Sequence, residues 1–234
     1  MIKVIMFDLD GTLLPMEQDK FVKAYFSGLA KKIAPFGYEP DAVVNAVFKG
    51  VGAMVRNDGT KTNEEVFWNK FCELLGDDIV KYKDVFEDYY RNEFQEVRHV
   101  CGFDNRAKET VALAKEKGFR VVLATSPLFP KIATESRMNW AGFDANDFEI
   151  YSTYEDYRYC KPNLNYYKTI LSKLDVSPNE CVMVGNDVVE DMIAKELGFD
   201  VFLLTDNIVN RDNKDISKFN QGGYDELIEY IKNL

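Results

Sequence analysis

Four short runs of apolar residues constrain the fold of this chain more than any other feature. They are Ile2–Phe7, Arg120–Ala124, Cys181–Val184 and Val201–Leu204, and each is followed by small or polar residues. Within each run apolar residues follow one another almost without interruption, which is the pattern required of strands that are covered on both faces of a sheet. Phe148–Ser152 is a weaker fifth candidate strand.

Segments with the apolar spacing of helices lie between these runs. The predicted helices are Asp104–Lys117, Lys131–Trp140, Leu164–Leu174, Glu190–Leu197 and, after a predicted surface loop at Asp206–Gly223, Tyr224–Leu234. Asp104 is a typical N-cap residue, and Gly118 and Gly198 are typical of helix ends. Because strands alternate with helices, we expect a parallel sheet built from right-handed crossovers.

A stretch of about ninety residues after the first run interrupts this alternation, because it contains no strand-like run. Its predicted helices are Gln18–Ala34, Asp41–Arg56, Glu64–Leu75 and Asp78–Glu96. The spacing of Phe21, Tyr25 and Leu29 within the first of them suits a small helical bundle. The stretch is therefore predicted to be a helical insertion with a core of its own.

Composition excludes several classes of protein. With 46% hydrophobic residues the chain has enough apolar material for a globular core. It carries 29 Lys+Arg against 39 Asp+Glu, a net charge of −10, which does not suit a protein that neutralises nucleic-acid phosphates. No apolar run approaches the roughly 18 residues of a membrane-spanning helix, and the N-terminus turns polar too early for a signal peptide.

Histidine and cysteine usage excludes further chemistry. His99 is the single histidine, so a site with several histidine ligands cannot form. The four cysteines, at positions 72, 101, 160 and 181, lack the spacing of a zinc site or a redox pair. Reduced thiols are typical of the cytoplasm, and we expect the protein there.

Two aspartates follow the first strand. Asp8 directly follows the first apolar run, and Asp10 stands two positions later, just before Gly11. Both are expected at the edge where open parallel sheets bind ligands. Two neighbouring carboxylates repel each other unless a cation neutralises them. Because the chain lacks clustered histidines and paired thiolates, Mg²⁺ bound by oxygen atoms is the natural candidate.

The other strand ends add complementary groups. Thr125 and Ser126 follow the second run, Lys161 precedes a helix, and Asp187 and Asp191 follow the Cys181–Val184 run. A carboxylate nucleophile, a lysine near phosphate oxygens, a second carboxylate for proton transfer and hydroxyl donors are the groups that phosphoryl transfer needs.

Taken together, DLDGT after the first strand, Thr-Ser after the second, Lys-Pro before a helix and the DxxxD pair resemble the haloacid dehalogenase superfamily of phosphohydrolases, over almost the entire chain. The helical insertion resembles the cap of the phosphoglycolate phosphatase and β-phosphoglucomutase branch. We therefore expect an α/β fold with a doubly wound, mostly parallel, Rossmann-like sheet. Residues 1–15 and 101–234 would form this core domain, and residues 16–100 would form an inserted α-helical cap domain.

The resemblance implies a role for each motif residue. Asp8 would attack phosphorus and form an aspartyl-phosphate, and Asp10 would protonate the leaving oxygen and later activate water. Thr125, with Ser126 beside it, would hydrogen-bond the transferring phosphoryl group. Lys161 would offset the negative charge on Asp8 and on the phosphate.

The resemblance also implies a Mg²⁺ site formed by the Asp8 carboxylate, the backbone carbonyl of Asp10 and Asp187, with Asp191 as a ligand or as an orienting group. One departure from the family's sequence pattern bears on this metal site. The family's fourth motif usually begins Gly-Asp, whereas here Asn186 follows the glycine and precedes Asp187. Asp187 is the ligand if the four-residue spacing to Asp191 is kept, and Asn186 if the five-residue spacing is kept. We expect Asp187, because Mg²⁺ favours carboxylate over amide oxygen.

The predicted function is Mg²⁺-dependent hydrolysis of a small phosphorylated metabolite, with neither nucleic acid nor a membrane as partner. Four charged residues of the insertion, Lys20, Lys23, Arg56 and Lys70, are candidates to meet the substrate. A phosphomutase would share every core motif. A dehalogenase would also use Asp8, but that branch lacks the second aspartate. A binding module that keeps the fold without turnover is the remaining alternative.

Overall fold

The computed structural model describes all 234 residues and contains one five-stranded parallel sheet. Its strands are β1 (Val4–Phe7), β2 (Arg120–Leu123), β3 (Cys181–Gly185), β4 (Asp200–Leu204) and β5 (Asn220–Gly222). The order across the sheet is β2-β1-β3-β4-β5. This is a doubly wound order, in which the direction of the crossovers reverses between β1 and β3 and opens a crevice at their carboxyl ends. The predicted α/β class is confirmed.

The register of the central strands brings their carboxyl ends to one level. Phe7 of β1 lies opposite both Leu123 of β2 and Val184 of β3. The residues that follow these three strands therefore project from the same edge of the sheet.

The helices of the sheet domain are α5 (Asn105–Glu116), α6 (Lys131–Trp140), α7 (Leu164–Leu174) and α8 (Tyr224–Lys232). The carboxylate of Asp104 accepts the backbone N–H of Arg106 at 2.9 Å, as expected of an N-cap. The helix predicted at Glu190–Leu197 is instead a 3-10 helix at Met192–Leu197. The side chains of Asp187 and Asp191 hold the preceding residues in tight turns by accepting backbone N–H groups.

Two predictions about the sheet were wrong. Phe148–Ser152 is not a strand, because it contributes a single bridge between Tyr151 and Leu123. Conversely, β5 lies within Asp206–Gly223, which was predicted to be a loop. Its sequence, Asn-Gln-Gly, has no apolar run because it is an edge strand that pairs only with β4.

The insertion is entirely helical. It contains α1 (Gln18–Ile33), α2 (Pro40–Val55), α3 (Asn63–Leu75) and α4 (Lys83–Arg91), with 3-10 helices at Ala34–Phe36, Asp77–Tyr82 and Glu93–Val100. The last predicted helix, Asp78–Glu96, is thus divided into three pieces. Asn92 ends α4 because its side-chain amide donates to the carbonyl and the carboxylate of Asp88 and so competes with the helical pattern.

Apolar residues cover both faces of the sheet. Alternate strand residues point to opposite faces, so Ile5 and Phe7 join one buried cluster while Val4 and Met6 join another. The first cluster also contains buried residues of the insertion, including Phe21. The core of the insertion is therefore continuous with one face of the sheet. None of the helices is both long enough and apolar enough to cross a membrane.

Candidate active site

A buried lysine lies at the centre of the carboxyl edge. Nζ of Lys161 donates to Oδ1 of Asp8 at 2.7 Å and to Oδ1 of Asp191 at 2.6 Å. Lys161 is 2% exposed and Asp191 is 1% exposed. Burial alone would lower the pKa of Lys161, but the charges of Asp191 and Asp8 outweigh it and hold that pKa well above its usual range. Lys161 is therefore a permanent cation between two carboxylates.

Asp191 is fully engaged by the protein. Its Oδ2 accepts the backbone N–H of Asp187 at 2.9 Å, while its Oδ1 accepts from Lys161. Burial raises the pKa of Asp191 above its usual range, and Lys161 opposes this shift. Gly185 makes room for this carboxylate, because a Cβ atom there would lie 2.2 Å from Cγ of Asp191. Asp191 thus anchors the turn after β3 to Lys161.

Thr12 and Asn186 lie on the other side of Asp8. Oγ1 of Thr12 is 3.2 Å from Oδ2 of Asp8 and 3.1 Å from Oδ1 of Asn186. The amide nitrogen of Asn186 donates to the carbonyl of Asn207 at 2.7 Å, which fixes the orientation of its oxygen. Gly11 is required here: its φ is +83°, and a Cβ atom would lie 2.2 Å from Nδ2 of Asn186. The amide oxygen of Asn186 and Oδ2 of Asp8 therefore share the Thr12 hydroxyl.

Asp187 stabilises the turn that contains it. Its Oδ1 accepts the backbone N–H groups of Val189 at 2.7 Å and of Glu190 at 2.9 Å. Next to it, burial raises the pKa of Glu190 to about 7. Both side chains line the same cavity as Asp8.

Asp10 is paired with an arginine that none of the sequence motifs contains. Oδ2 of Asp10 accepts a hydrogen bond from Nη1 of Arg137, a wholly buried residue of α6 whose guanidinium lies 4.2 Å from the ring centroid of Phe129. Burial raises the pKa of Asp10, and the charge of Arg137 opposes the shift. Oδ1 of Asp10 is buried without a hydrogen-bond partner. The spacing Ala133, Arg137 and Trp140 on one helix face could have revealed Arg137 as inward-facing.

One cavity of about 780 Å³ joins all the motif residues that the sequence predicted for the site, but none of the four charged candidates of the insertion. It lies between the carboxyl edge of the sheet and the helices of the insertion, and Thr125 and Ser126 enter it from the end of β2. The predicted residues that line it are Asp8, Asp10, Thr125, Ser126, Lys161, Asp187 and Asp191. The structure thus brings together groups that are up to 183 positions apart in the chain (191 − 8).

The charges of the crevice suit a divalent cation. Five of the acidic groups that line the cavity lie at the carboxyl edge of the sheet, namely Asp8, Asp10, Asp187, Glu190 and Asp191, and Lys161 and Arg137 are the only cations bonded to any of these five. The available donors are carboxylate, amide and carbonyl oxygens, with neither imidazole nor thiolate among them. Such a donor set fits Mg²⁺, a hard cation that prefers oxygen.

Replacing Gly185 tests the anchoring of Asp191. In Gly185→Ala the new methyl group would displace the Asp191 carboxylate and disturb its pairing with buried Lys161. We expect the free energy of unfolding to fall by about 3 kcal/mol, as when a buried ion pair is broken. Chemical denaturation would measure it.

Gly52→Ala in α2 is the matched control, because its Cβ would meet only the mobile end of Arg56, at 3.3 Å. We expect its stability to be unchanged or higher by up to about 1 kcal/mol. Equal stability of Gly185→Ala and the wild type would show that Asp191 is not held in this way.

Comparison with known proteins agrees with this geometry. A family model of the haloacid dehalogenase-like hydrolases matches residues 2–198. Phosphoglycolate phosphatase from Vibrio vulnificus is 25% identical over 207 residues, which cover 87% of this chain and 84% of that protein. Pyrophosphatase PpaX from Bacillus cereus is 24% identical over 186 residues, 80% of this chain and 75% of that protein.

The fold also matches solved structures. The 2-haloacid dehalogenase from Pseudomonas syringae pv. Tomato aligns with a TM-score of 0.67 at 17% identity, covering 100% of this chain and 99% of that one. This likeness concerns the fold alone. The family predicted from the motifs is confirmed by the family match, and the chain belongs to the haloacid dehalogenase-like hydrolases.

Proposed function

We propose that this phosphatase hydrolyses a small phosphomonoester with the help of Mg²⁺, through an aspartyl-phosphate formed on Asp8. The observation that carries the proposal is the placement of Asp8. It follows β1 directly, lies at the floor of the cavity and is 7% exposed. Lys161 donates to one of its oxygens, and the other lies 3.2 Å from the hydroxyl of Thr12.

Asp8 would act as the nucleophile. One of its oxygens bonds to phosphorus while the bond from phosphorus to the leaving oxygen breaks. The ammonium of Lys161 offsets the charge that gathers on Asp8 and on the phosphoryl oxygens, in a buried setting where water screens little. Thr125 and Ser126, across the cavity, would donate hydrogen bonds to the same phosphoryl group.

Asp10 would move the proton. Burial raises its pKa, which favours the protonated form needed to donate to the leaving oxygen. It would then take a proton from the water that attacks phosphorus and releases phosphate. Arg137 fixes the orientation of Asp10 through Oδ2 and leaves Oδ1 as the oxygen that exchanges the proton.

The metal ligands we propose are the Asp8 carboxylate, the backbone carbonyl of Asp10 and the amide oxygen of Asn186. When bound there, Mg²⁺ neutralises charge and orients phosphate oxygens. The sequence favoured Asp187 over Asn186. The contacts favour Asn186, because its oxygen shares the Thr12 hydroxyl with Asp8, whereas the Asp187 carboxylate directs Oδ1 to the backbone N–H groups of its own turn. Asp191 would act as an orienting group, since its carboxylate ties Lys161 to the backbone N–H of Asp187.

We also propose the division into a core domain, residues 1–15 and 101–234, and a cap domain, residues 16–100. Two contacts support it: the N–H of Gly102 donates to the carbonyl of Pro15 at 2.6 Å, and Met16 and Cys101 form an antiparallel bridge. The chain therefore leaves the core and returns to it at adjacent points. The cap would cover the site and exclude bulk water.

Asp8 and Mg²⁺ can be tested together by phosphate release from a panel of phosphomonoesters. We expect release that EDTA abolishes and Mg²⁺ restores, and a loss on the order of 10³-fold or more in Asp8→Asn, because the amide cannot attack phosphorus. Asp41→Asn, on the exposed start of α2, is the control and should keep wild-type rates. Undiminished release in Asp8→Asn would contradict the mechanism, and transfer of phosphate to a second sugar phosphate without release would indicate a mutase.

The metal ligand can be identified from the Mg²⁺ concentration that gives half-maximal phosphate release. Asn186→Ala removes a proposed ligand and should raise that concentration roughly tenfold or more. Asp187→Asn keeps an oxygen for the N–H groups of Val189 and Glu190, so we expect a change of no more than about threefold. The opposite ranking would assign the ligand position to Asp187.

A further inference from the structure

We propose that the cavity above Asp8 selects phosphomonoesters whose alcohol is bulky and apolar, an alkyl chain or an aryl-alkyl group. The inference rests on the proposed function and names its substrate class. It excludes substrates whose second end carries another anionic group. Three features of the cavity support it: the aromatic rings of its wall, the pairing of its cap-side cations with carboxylates, and its volume.

Aromatic rings form much of the cavity wall on the cap side, where Glu64 and Glu87 also line it. Each of the four α-helices of the cap contributes at least one ring, and the loops that follow β2 contribute others. Representative rings are Phe26 of α1, Phe48 of α2, Trp68 of α3, Phe86 of α4, and Phe129 and Tyr154 on the core side. Rings supply large apolar contact areas and favour apolar or aromatic ligands. The wall therefore offers hydrophobic contact to whatever is esterified to the phosphate.

Part of this apolar surface is open to a ligand. Phe48 is 53% exposed although it lines the cavity, and its ring centroid is 4.5 Å from that of Phe26. Covering exposed rings by an apolar group removes them from water, which favours binding. The volume of about 780 Å³ lies within the range of sites that enclose drug-sized ligands. A phosphomonoester whose alcohol has two or three carbon atoms would leave much of the cavity filled with water.

The cations on the cap side of the cavity are already paired. Nζ of Lys83 lies 3.6 Å from Glu64 and 4.6 Å from the ring centroid of Trp68. Arg91 donates to Glu87 at 2.9 Å. A second phosphate or a carboxylate on the substrate would have to compete with these carboxylates, whereas an apolar group would not.

Lys131 and the charged residues suggested by the sequence add no unpaired cation to the cavity. Lys131 lies 3.8 Å from Glu135. The insertion residues suggested by the sequence, Lys20, Lys23, Arg56 and Lys70, are all absent from the cavity lining. The hydroxyl groups of Tyr25 and Tyr90 are 2.8 Å apart and bond to each other, so they too are partnered.

Arg211 is the one lining cation, apart from the catalytic edge, that has no carboxylate within salt-bridge distance. Its Nη2 donates to Oε1 of Gln18 at 2.7 Å. It follows Val209, whose N–H donates to the carbonyl of Asn186 at 2.9 Å, so the loop that carries it is tied to the catalytic edge. Arg211 is the residue through which a second anionic group would be recognised, and it therefore serves as a test of that alternative.

The substrate class can be tested with phosphate esters of primary alcohols with closely similar leaving groups. The panel contains ethyl, butyl, hexyl and 2-phenylethyl phosphate, together with pyrophosphate, phosphoglycolate, a sugar phosphate and a nucleoside 5′-monophosphate. We expect kcat/KM for Mg²⁺-dependent phosphate release to rise roughly fourfold per added methylene, on the order of 10²-fold from ethyl to hexyl. A preference for any of the four polar compounds over hexyl phosphate would overturn the inference.

A binding measurement makes the inference independent of turnover. Alkylphosphonates are not hydrolysed, and calorimetry in the presence of Mg²⁺ should show Kd falling from ethyl- to hexylphosphonate by a similar factor. Chain-length-dependent phosphonate binding without release from any ester would overturn the proposed hydrolysis and support the apolar cavity. Release that does not depend on chain length would support hydrolysis and overturn the cavity inference. If neither phosphate release nor chain-length-dependent phosphonate binding is found, both the proposed hydrolysis and the cavity inference are overturned.

Two variants locate the effect. In Phe48→Ala the hexyl-to-ethyl ratio of kcat/KM should fall roughly threefold to tenfold. The matched control is Phe103→Ala, a phenylalanine that is 56% exposed and does not line the cavity, and its ratio should equal that of the wild type. An unchanged hexyl-to-ethyl ratio in Phe48→Ala would contradict the inference. So would an Arg211→Gln variant that loses more activity on pyrophosphate or phosphoglycolate than on hexyl phosphate.

Discussion

The site depends on one buried cation. The ammonium of Lys161 lies between Asp8 and Asp191, at 2.7 and 2.6 Å, in a place that water hardly reaches. An unpaired charge at this depth would be strongly unfavourable, so each of the three groups requires the others. Through Asp191 the lysine also holds the turn after β3, and through Asp8 it holds the end of β1. The ion pair thus joins the ends of β1 and β3 to the loop that carries Lys161.

Most strands of the sheet and the placement of the polar residues after them could be predicted, because both follow from local rules. Strands covered on both faces must be continuously apolar, and β1 to β4 were found for that reason. Polar residues directly after such strands must meet at one edge of a parallel sheet, so Asp8, Thr125 and Asp191 could be assigned to one site before their contacts were known. The edge strand β5 escaped the same reasoning, because Asn220–Gly222 needs only one pairing partner and carries no apolar run.

Features that depend on tertiary contacts could not be predicted in the same way. The pairing of Arg137 with Asp10 joins residues 127 positions apart, and although helical spacing marks Arg137 as inward-facing, no local pattern identifies Asp10 as its partner. The orientation of Asn186 depends on Thr12 and Asn207, which come from two separate loops. The aromatic wall arises because four helices direct rings toward one cavity, although each helix alone shows only ordinary amphipathic spacing. The placement of the motif residues at one edge of the sheet can thus be predicted from the sequence, whereas the orientation of their side chains and the composition of the cavity wall require the assembled structure.

The most direct test of the account is chemical trapping of the intermediate. Borohydride reduces an acyl phosphate to an alcohol, so an aspartyl-phosphate at residue 8 becomes homoserine, which peptide mass spectrometry can locate. With Mg²⁺ and the phosphomonoester that the enzyme turns over fastest, we predict homoserine at position 8 and at no other aspartate, and none without substrate. Homoserine at Asp10 or Asp191, or full phosphate release with position 8 unmodified throughout, would contradict the assignment of Asp8 as the nucleophile.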